Sequence, residues 1–299
     1  MSGFSNVKRN TIQSLTEFNL FYDEPVVNKI NDWPYPNHFF SYFKSNSTKL
    51  VVMLQGAIDR TKIPLPIFQR WSWSEDIEAS VLILNDPTLF GNNLRLGWWQ
   101  GKEEQYAIPN ACEFIKLVIN KLGYSLKDLL FFGSSAGGFS ALMMAAHLKG
   151  SMAIVNNPQT NILEYREGHV QPFLHTKFRG MSKKEAFDRY PTRFSVSELF
   201  KSMNYIPRIV YYQNVKDPFH FENHYLAFVQ QLYESGIDPN EFQSILYADD
   251  KGHNPLDALK TVSIINHWVT KLSELDQKIK LEKVFQSANL PIPLAREQS

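Results

Sequence analysis

At 299 residues, 43% of them apolar and 20% charged, the chain has the length and composition of a folded protein with a sizeable core, as one large domain or two small ones. With 31 basic and 30 acidic residues the net charge is +1, which gives no support for a nucleic-acid or membrane footprint. One cysteine, Cys112, excludes an internal disulfide and argues against a cysteine-based metal site.

The opening MSGFSNVKRNTIQ lacks the apolar run of a secretory signal. No window approaches the ~20 apolar residues of a transmembrane helix, so the expectation is a soluble, cytoplasmic protein. Residues 1–48 are aromatic-rich and broken by turn signals, and read as an N-terminal elaboration packed on the core. From Lys49 the pattern changes. LVVMLQGA at 50–57 reads as a buried strand running into a glycine turn, and SVLILNDP at 80–87 repeats the logic. Pro109 opens a helix whose apolar face runs through Ala111, Phe114, Ile115, Val118, Ile119 and Leu122, and Gly123 closes it. Residues 129–132 form the next strand, followed by a helix after Gly137, then a strand at 151–156. Residues 161–205 break the alternation with helical fragments and local charge, as a cap inserted between core strands would. Strands return at 208–214 and 242–248, separated by a helix from about 221 to 235. Residues 256–274 read as a long amphipathic helix and 275–299 as a peripheral tail. Strands alternating with helices predict an α/β fold over 49–274, a mostly parallel sheet covered on both faces. Reactive groups in such sheets lie beyond the carboxyl ends of the strands.

The strongest chemical signal is Gly133-Ser134-Ser135-Ala136-Gly137, a G-x-S-x-G string between an apolar strand and an apolar helix. That turn would hold the Ser135 hydroxyl exposed at its tip, with Gly133 and Gly137 leaving room where two backbones crowd. A serine hydroxyl is a weak nucleophile near neutral pH; it needs a base, and the base needs an orienting group. The chain order expected in this topology is Ser, then Asp or Glu, then His. Asp217 follows the 208–214 strand in KDPFH, and His253 follows the 242–248 strand in KGHNP. Ser135 is expected as nucleophile, His253 as general base and then acid, and Asp217 as the carboxylate fixing the imidazole. Asp217 in its turn also reads as a simple helix cap. Asp86, Asp249 and Asp250 are poorer placed as the acid, and His220 and His224 as the base.

The oxyanion donors expected are the Ala136 N–H, at the mouth of its helix, and the N–H of Gly56 or Ala57 after the first core strand. His220 and His224 stand four apart, but H-F-E-N-H lacks the H-E-x-x-H order, so no metal is expected. No phosphate-cradling glycine motif appears, which leaves nucleotide binding unsupported.

GSSAGG at 133–138, with Asp217 and His253, resembles the α/β-hydrolase superfamily over about residues 49–274. LGWWQG at 96–101, GYSLKDLLFFGSSAGGFSAL at 123–142 and VNNPQTNI at 155–162 are similar to hydrolase-like proteins associated with bacterial capsule and surface-polysaccharide synthesis. Relatives of that kind include glycan O-acetyltransferases and glycan-modifying esterases. The resemblance implies an α/β-hydrolase fold with a small helical cap, an acetyl-enzyme on Ser135, a carbohydrate substrate and no permanently bound cofactor. A sugar hydroxyl as acceptor makes an O-acetyltransferase, with acetyl-coenzyme A as donor. Water as acceptor makes a glycan acetyl esterase, and the same triad would serve a general carboxylesterase or peptidase. Trp98 and Trp99 are expected to stack on sugar unless they are core packing, and Gln159 and Thr160 to line the same cleft.

Overall fold

In the computed structural model, which describes residues 7–14, 17–32, 38–238 and 241–287, nine strands form one sheet in the order β1-β2-β3-β5-β4-β6-β7-β8-β9. The strands are β1 (Lys8–Ile12), β2 (Val26–Ile30), β3 (His38–Tyr42), β4 (Leu50–Leu54), β5 (Ser80–Leu84), β6 (Leu129–Ser134), β7 (Met152–Asn156), β8 (Arg208–Asn214) and β9 (Phe242–Tyr247). From β5 through β9 every neighbouring pair is parallel, whereas β3 runs antiparallel to both β2 and β5. β4, β5 and β7 are buried along their whole length, which is why their sequences are near-continuous apolar runs.

Alternation along these strands divides the interior in two. Leu50, Val52, Leu54, Leu129 and Phe131 join one core with helices α1 (Ala107–Leu122) and α2 (Ala136–His147). Val51, Met53, Leu130 and Phe132 join the other, closed by Ile265, Val269 and Leu272 of the C-terminal helix. The first helix starts at Ala107, so Pro109 sits inside its first turn, where its missing N–H has no partner to lose; Gly123 closes it at φ 71.

Within the expected N-terminal elaboration, β1, β2 and β3 extend the sheet itself, with buried Val26, Ile30, Phe39 and Phe40 as their anchors. Between β7 and β8 lies the expected helical insertion: α3 (Glu167–Lys177), α4 (Lys183–Arg189), α5 (Pro191–Phe194) and α6 (Val196–Met203). Phe173, Phe178 and Phe194 cluster edge-to-face within it, and Arg193 fastens it to the core by donating to the Gln100 and Glu103 carbonyls at 2.7 and 2.9 Å.

After β8, α7 (Pro218–His220) runs through a π-helical stretch (Phe221–Leu226) into α8 (Ala227–Ser235). The last helix, α9, spans Ala258–Ser287, so it continues into what reads as tail; the remaining expected tail, 288–299, lies outside the described residues. Among the described residues no helix is long and apolar enough to cross a membrane. The architecture is that of the α/β-hydrolase fold, and the carboxyl ends of β6, β8 and β9 converge on one place.

Candidate active site

Between β6 and α2 the chain turns at Ser135, whose backbone is held at φ 56, ψ −123. A non-glycine residue there stores about 1–3 kcal/mol of strain, which the surroundings must over-determine. The Ser135 N–H donates to the Asn156 carbonyl at 3.1 Å, and its own carbonyl accepts from Gly138, Phe139 and Gln159. The turn closes only because its glycines lack side chains. A Cβ at Gly133 would overlap the Gly137 carbonyl, one at Gly137 the Leu54 carbonyl, and one at Gly138 would stand 2.6 Å from Pro158 Cβ.

The structure brings Ser135, His253 and Asp217 together from three loops. His253 Nε2 lies 2.9 Å from Ser135 Oγ, and His253 Nδ1 lies 2.8 Å from Asp217 Oδ2. Asp217 also caps α7, accepting the His220 N–H at 3.4 Å, as the helix-cap reading of its turn expects. His220 is the member that sequence reasoning set aside. Its Nδ1 lies 3.2 Å from Asp217 Oδ1 and 3.0 Å from Oδ2, and its ring lies on His253. Its spacing three residues after a capping aspartate was the available signal: N-cap and N3 positions meet across the first helical turn.

Proton positions follow from the partners. An ionised carboxylate only accepts, so both imidazoles present Nδ1–H to Asp217 and keep Nε2 as acceptor. Ser135 then donates its hydroxyl proton to His253. Gln159 Nε2 lies 2.9 Å from Ser135 Oγ and 3.0 Å from His220 Nε2, and donates to both. Trp98 Nε1, a donor alone, takes Gln159 Oε1 at 3.1 Å and so fixes which way the carboxamide points.

Burial opposes the Asp217 charge, but the hydrogen bonds from His220 and His253 outweigh it and hold this carboxyl well below the usual range. Burial lowers His220 against the opposing pull of Asp217. His224, in the π-helical stretch, is pushed down to about 3 by burial and by its two histidine neighbours.

Asp217, His220 and His253 also form a cluster with metal-ligand chemistry, their ligand atoms within 4.8 Å of one another. The ring geometry does not suit an ion. Imidazoles bind in the ring plane at about 2.0–2.1 Å. Two rings 3.7 Å apart and 9° from parallel cannot both aim in-plane lone pairs at one point.

Four expected cleft-lining residues are corrected. Trp98 and Trp99 are each 1% exposed, and Gln159 and Thr160 are buried as well. Neither indole offers a face to a sugar. Both tryptophans hold positive φ, 49 and 58; Asp86 fixes the loop by accepting the Trp99 N–H at 2.9 Å, and Trp98 packs edge-on against Phe173. Thr160 donates to the His224 carbonyl at 3.0 Å. Gln159 lies beneath Ser135, its carboxamide nitrogen on the serine hydroxyl. Of the paired oxyanion candidates, Gly56 has its N–H committed to Gln69 Oε1 at 3.0 Å, which leaves Ala57. The Ala136 N–H heads α2, where no intrahelical acceptor exists.

No protein-family model matches the sequence, and no curated protein does. Solved structures do share its fold. The capsule O-acetyltransferase of Neisseria meningitidis serogroup A superposes with a TM-score of 0.59 at 16% identity, covering 79% of this chain and 91% of that one. Carboxyl esterase 2 of Tuber melanosporum gives 0.55 at 13% identity, over 89% and 91%. The acetyl ester-xyloside bifunctional hydrolase of Caldicellulosiruptor lactoaceticus gives 0.54 at 16% identity, over 90% and 98%. At such identities the likeness is one of fold.

Proposed function

We propose that this chain is a serine-dependent acyl-transfer enzyme, an O-acetyltransferase acting on a bacterial capsular or surface polysaccharide. The observation that carries the acyl-transfer reading is the continuous relay from Ser135 Oγ through His253 to Asp217, at 2.9 and 2.8 Å. Support for the acceptor class comes from the sequence strings at 96–101, 123–142 and 155–162 and from the fold shared with a capsule O-acetyltransferase, a variant of which was solved in complex with CoA.

In the first step Ser135 Oγ attacks the acetyl carbonyl carbon while His253 Nε2 takes the hydroxyl proton. The oxyanion forms against the N–H groups of Ala136 and Ala57, each such donor being worth about 2.7–4 kcal/mol in related sites. Collapse expels the thiolate of coenzyme A, His253 returns the proton, and an acetyl-serine remains. In the second step a sugar hydroxyl gives its proton to His253 and its oxygen attacks the acetyl carbon, which frees Ser135. Water in that role yields acetate, so esterase and transferase differ only in the acceptor.

The test is to incubate the protein with acetyl-coenzyme A and capsular oligosaccharide and weigh the sugar. A gain of about 42 Da, one acetyl in place of one hydrogen, lost in a Ser135→Ala protein, is the expected result. Acetate released from acetylated glycan with no such gain assigns the esterase. A folded protein in which Ser135 takes no fluorophosphonate overturns the reading.

A further inference from the structure

Arg70 lies in the segment joining β4 to β5, with left-handed backbone at φ 67, ψ 15. Its guanidinium donates to Ser134 Oγ at 2.6 Å, one residue before the nucleophile. Two rings fix its position: the guanidinium carbon is 5.4 Å from the centroid of Trp73 and 5.4 Å from that of Phe132. The preceding residue, Gln69, holds the Gly56 N–H, so Arg70 is tied to the oxyanion loop as well as to the elbow. Burial pushes the guanidinium down to about 10, which leaves it charged at neutral pH. Among the described residues no carboxylate pairs with it. A guanidinium carries five N–H donors, and among the described residues this fork has one hydrogen-bond acceptor, Ser134 Oγ. Arg70 is half-buried, so its charge is partly drawn out of water with no counter-charge beside it.

A second observation points the same way. Leu54 pairs with Gly133 across β4 and β6, so Gln55 follows beside Ser134. Alternation carries both side chains to the sheet face of Met53 and Phe132. Gln55 is buried, and neither atom of its carboxamide has a partner. One strand further along, buried Asn85 accepts the Ile67 N–H at 2.8 Å, while its Nδ2 is unpartnered. Two buried amide donors without acceptors thus stand on the sheet face that Arg70 covers.

We infer that Arg70, Gln55 and Asn85 form an anion-binding subsite that reads a carboxylate or phosphate group carried by the sugar close to its acylated hydroxyl. The inference rests on the acyl-transfer reading and narrows it: the glycan is acidic. The arginine fork matches the paired oxygens of either group. The diphosphate of coenzyme A is not the ligand in question, because the pantetheine arm holds it far from the thioester, and Arg70 is bonded to the neighbour of the nucleophile.

Three acceptor sugars, each offered with acetyl-coenzyme A, test this: a uronic acid, its neutral methyl ester, and a sugar phosphate. The wild-type protein is expected to favour the uronic acid or the phosphate over the methyl ester by about tenfold or more in kcat/KM, the span expected of one close charge pair. Arg70→Gln is expected to bring that ratio near one, chiefly through KM, and Arg70→Lys to restore part of it. Which anion leads assigns a carboxylate-bearing or a phosphodiester-linked glycan. A wild-type ratio near one overturns the inference, as does an equal ratio in folded Arg70→Gln. A binding arm needs no turnover: calorimetry of unacetylated uronate and its methyl ester with Ser135→Ala protein, with and without Arg70→Gln. Uronate binding that depends on Arg70, beside a wild-type protein that neither transfers nor releases acetyl, keeps the subsite and removes the acyl-transfer reading. Equal binding of acid and ester removes the subsite alone.

Discussion

The rings of His220 and His253 lie face to face, 3.7 Å between centroids and 9° between planes, with both Nδ1 atoms on the Asp217 carboxylate. One carboxylate therefore orients two imidazoles, and only the outer one reaches Ser135. His220 is placed to act as a positioning residue: it covers one face of the His253 ring, and its Nδ1 straddles the Asp217 carboxylate, 3.2 Å from Oδ1 and 3.0 Å from the Oδ2 that His253 also holds.

His220→Phe keeps a ring in that place and removes the bond to Asp217. A hydrogen bond to a charged group contributes about 1.5–3 kcal/mol, so kcat is expected to fall by about 10–100-fold. The rate should be normalised to the Ser135 that takes fluorophosphonate, which separates slower chemistry from fewer folded molecules. An unchanged normalised rate removes the role assigned to His220.

Asp217→Asn is expected to cost more. A carboxamide puts an NH2 donor where one accepting oxygen stood, so an imidazole nitrogen facing it must give up its proton and adopt the other tautomer. The corresponding change in a serine-protease triad lowers turnover about 10⁴-fold. Steady-state hydrolysis of an aryl acetate measures it, and retention of most of the rate would mean that His253 is oriented by something else.

Much of this arrangement could be read along the chain because its causes are local or ordered. Four apolar residues, a glycine-flanked serine and an apolar helix specify the elbow, and chain order alone pointed to Asp217 and His253. The buried side of the site was less legible. Trp98 looked like a sugar platform because nothing local announces that its loop is folded inward by Asp86, thirteen residues from Trp99. Gln159 looked like a lining residue, since only the parallel pairing of β6 with β7 brings the turn after Asn156 beneath Ser135. The strands at 8–42 were missed because their apolar content is interrupted and because β5, the partner that joins β3 to the rest of the sheet, comes later in the chain.

Acid should weaken the fold in a defined direction. His224 titrates at about 3 when folded against an ordinary 6.5, and His220 is lowered too. Between those values the unfolded chain binds a proton that folded His224 does not, so stability falls as pH falls, by about 1.4 kcal/mol per unit for each such proton. Asp217 adds to this lower down: its carboxyl is depressed, so its contribution is full above the ordinary carboxylate range and lost as pH drops toward the folded value. Urea unfolding between about pH 7 and 5 should show the slope, and His224→Gln should make it shallower by one proton. An identical slope in that variant would mean that His224 is charged when folded.

The glycines near Ser135 should separate into two kinds. A methyl at Gly133 meets backbone on the far side of the turn, and neither β6 nor α2 can withdraw without breaking its own hydrogen bonds. Overpacking of flexible side chains costs about 1–3 kcal/mol, and backbone yields less readily, so Gly133→Ala is expected to lose more than that or fail to fold. Gly56 differs. A Cβ there meets only the Ser134 carbonyl, at 3.5 Å, an ordinary contact, and its φ needs no glycine. Gly56→Ala should fold with a Tm close to that of the wild type, the Gln69 clamp on its N–H intact. Thermal unfolding of the two variants checks this, and equal losses would mean that the turn is looser than its contacts require.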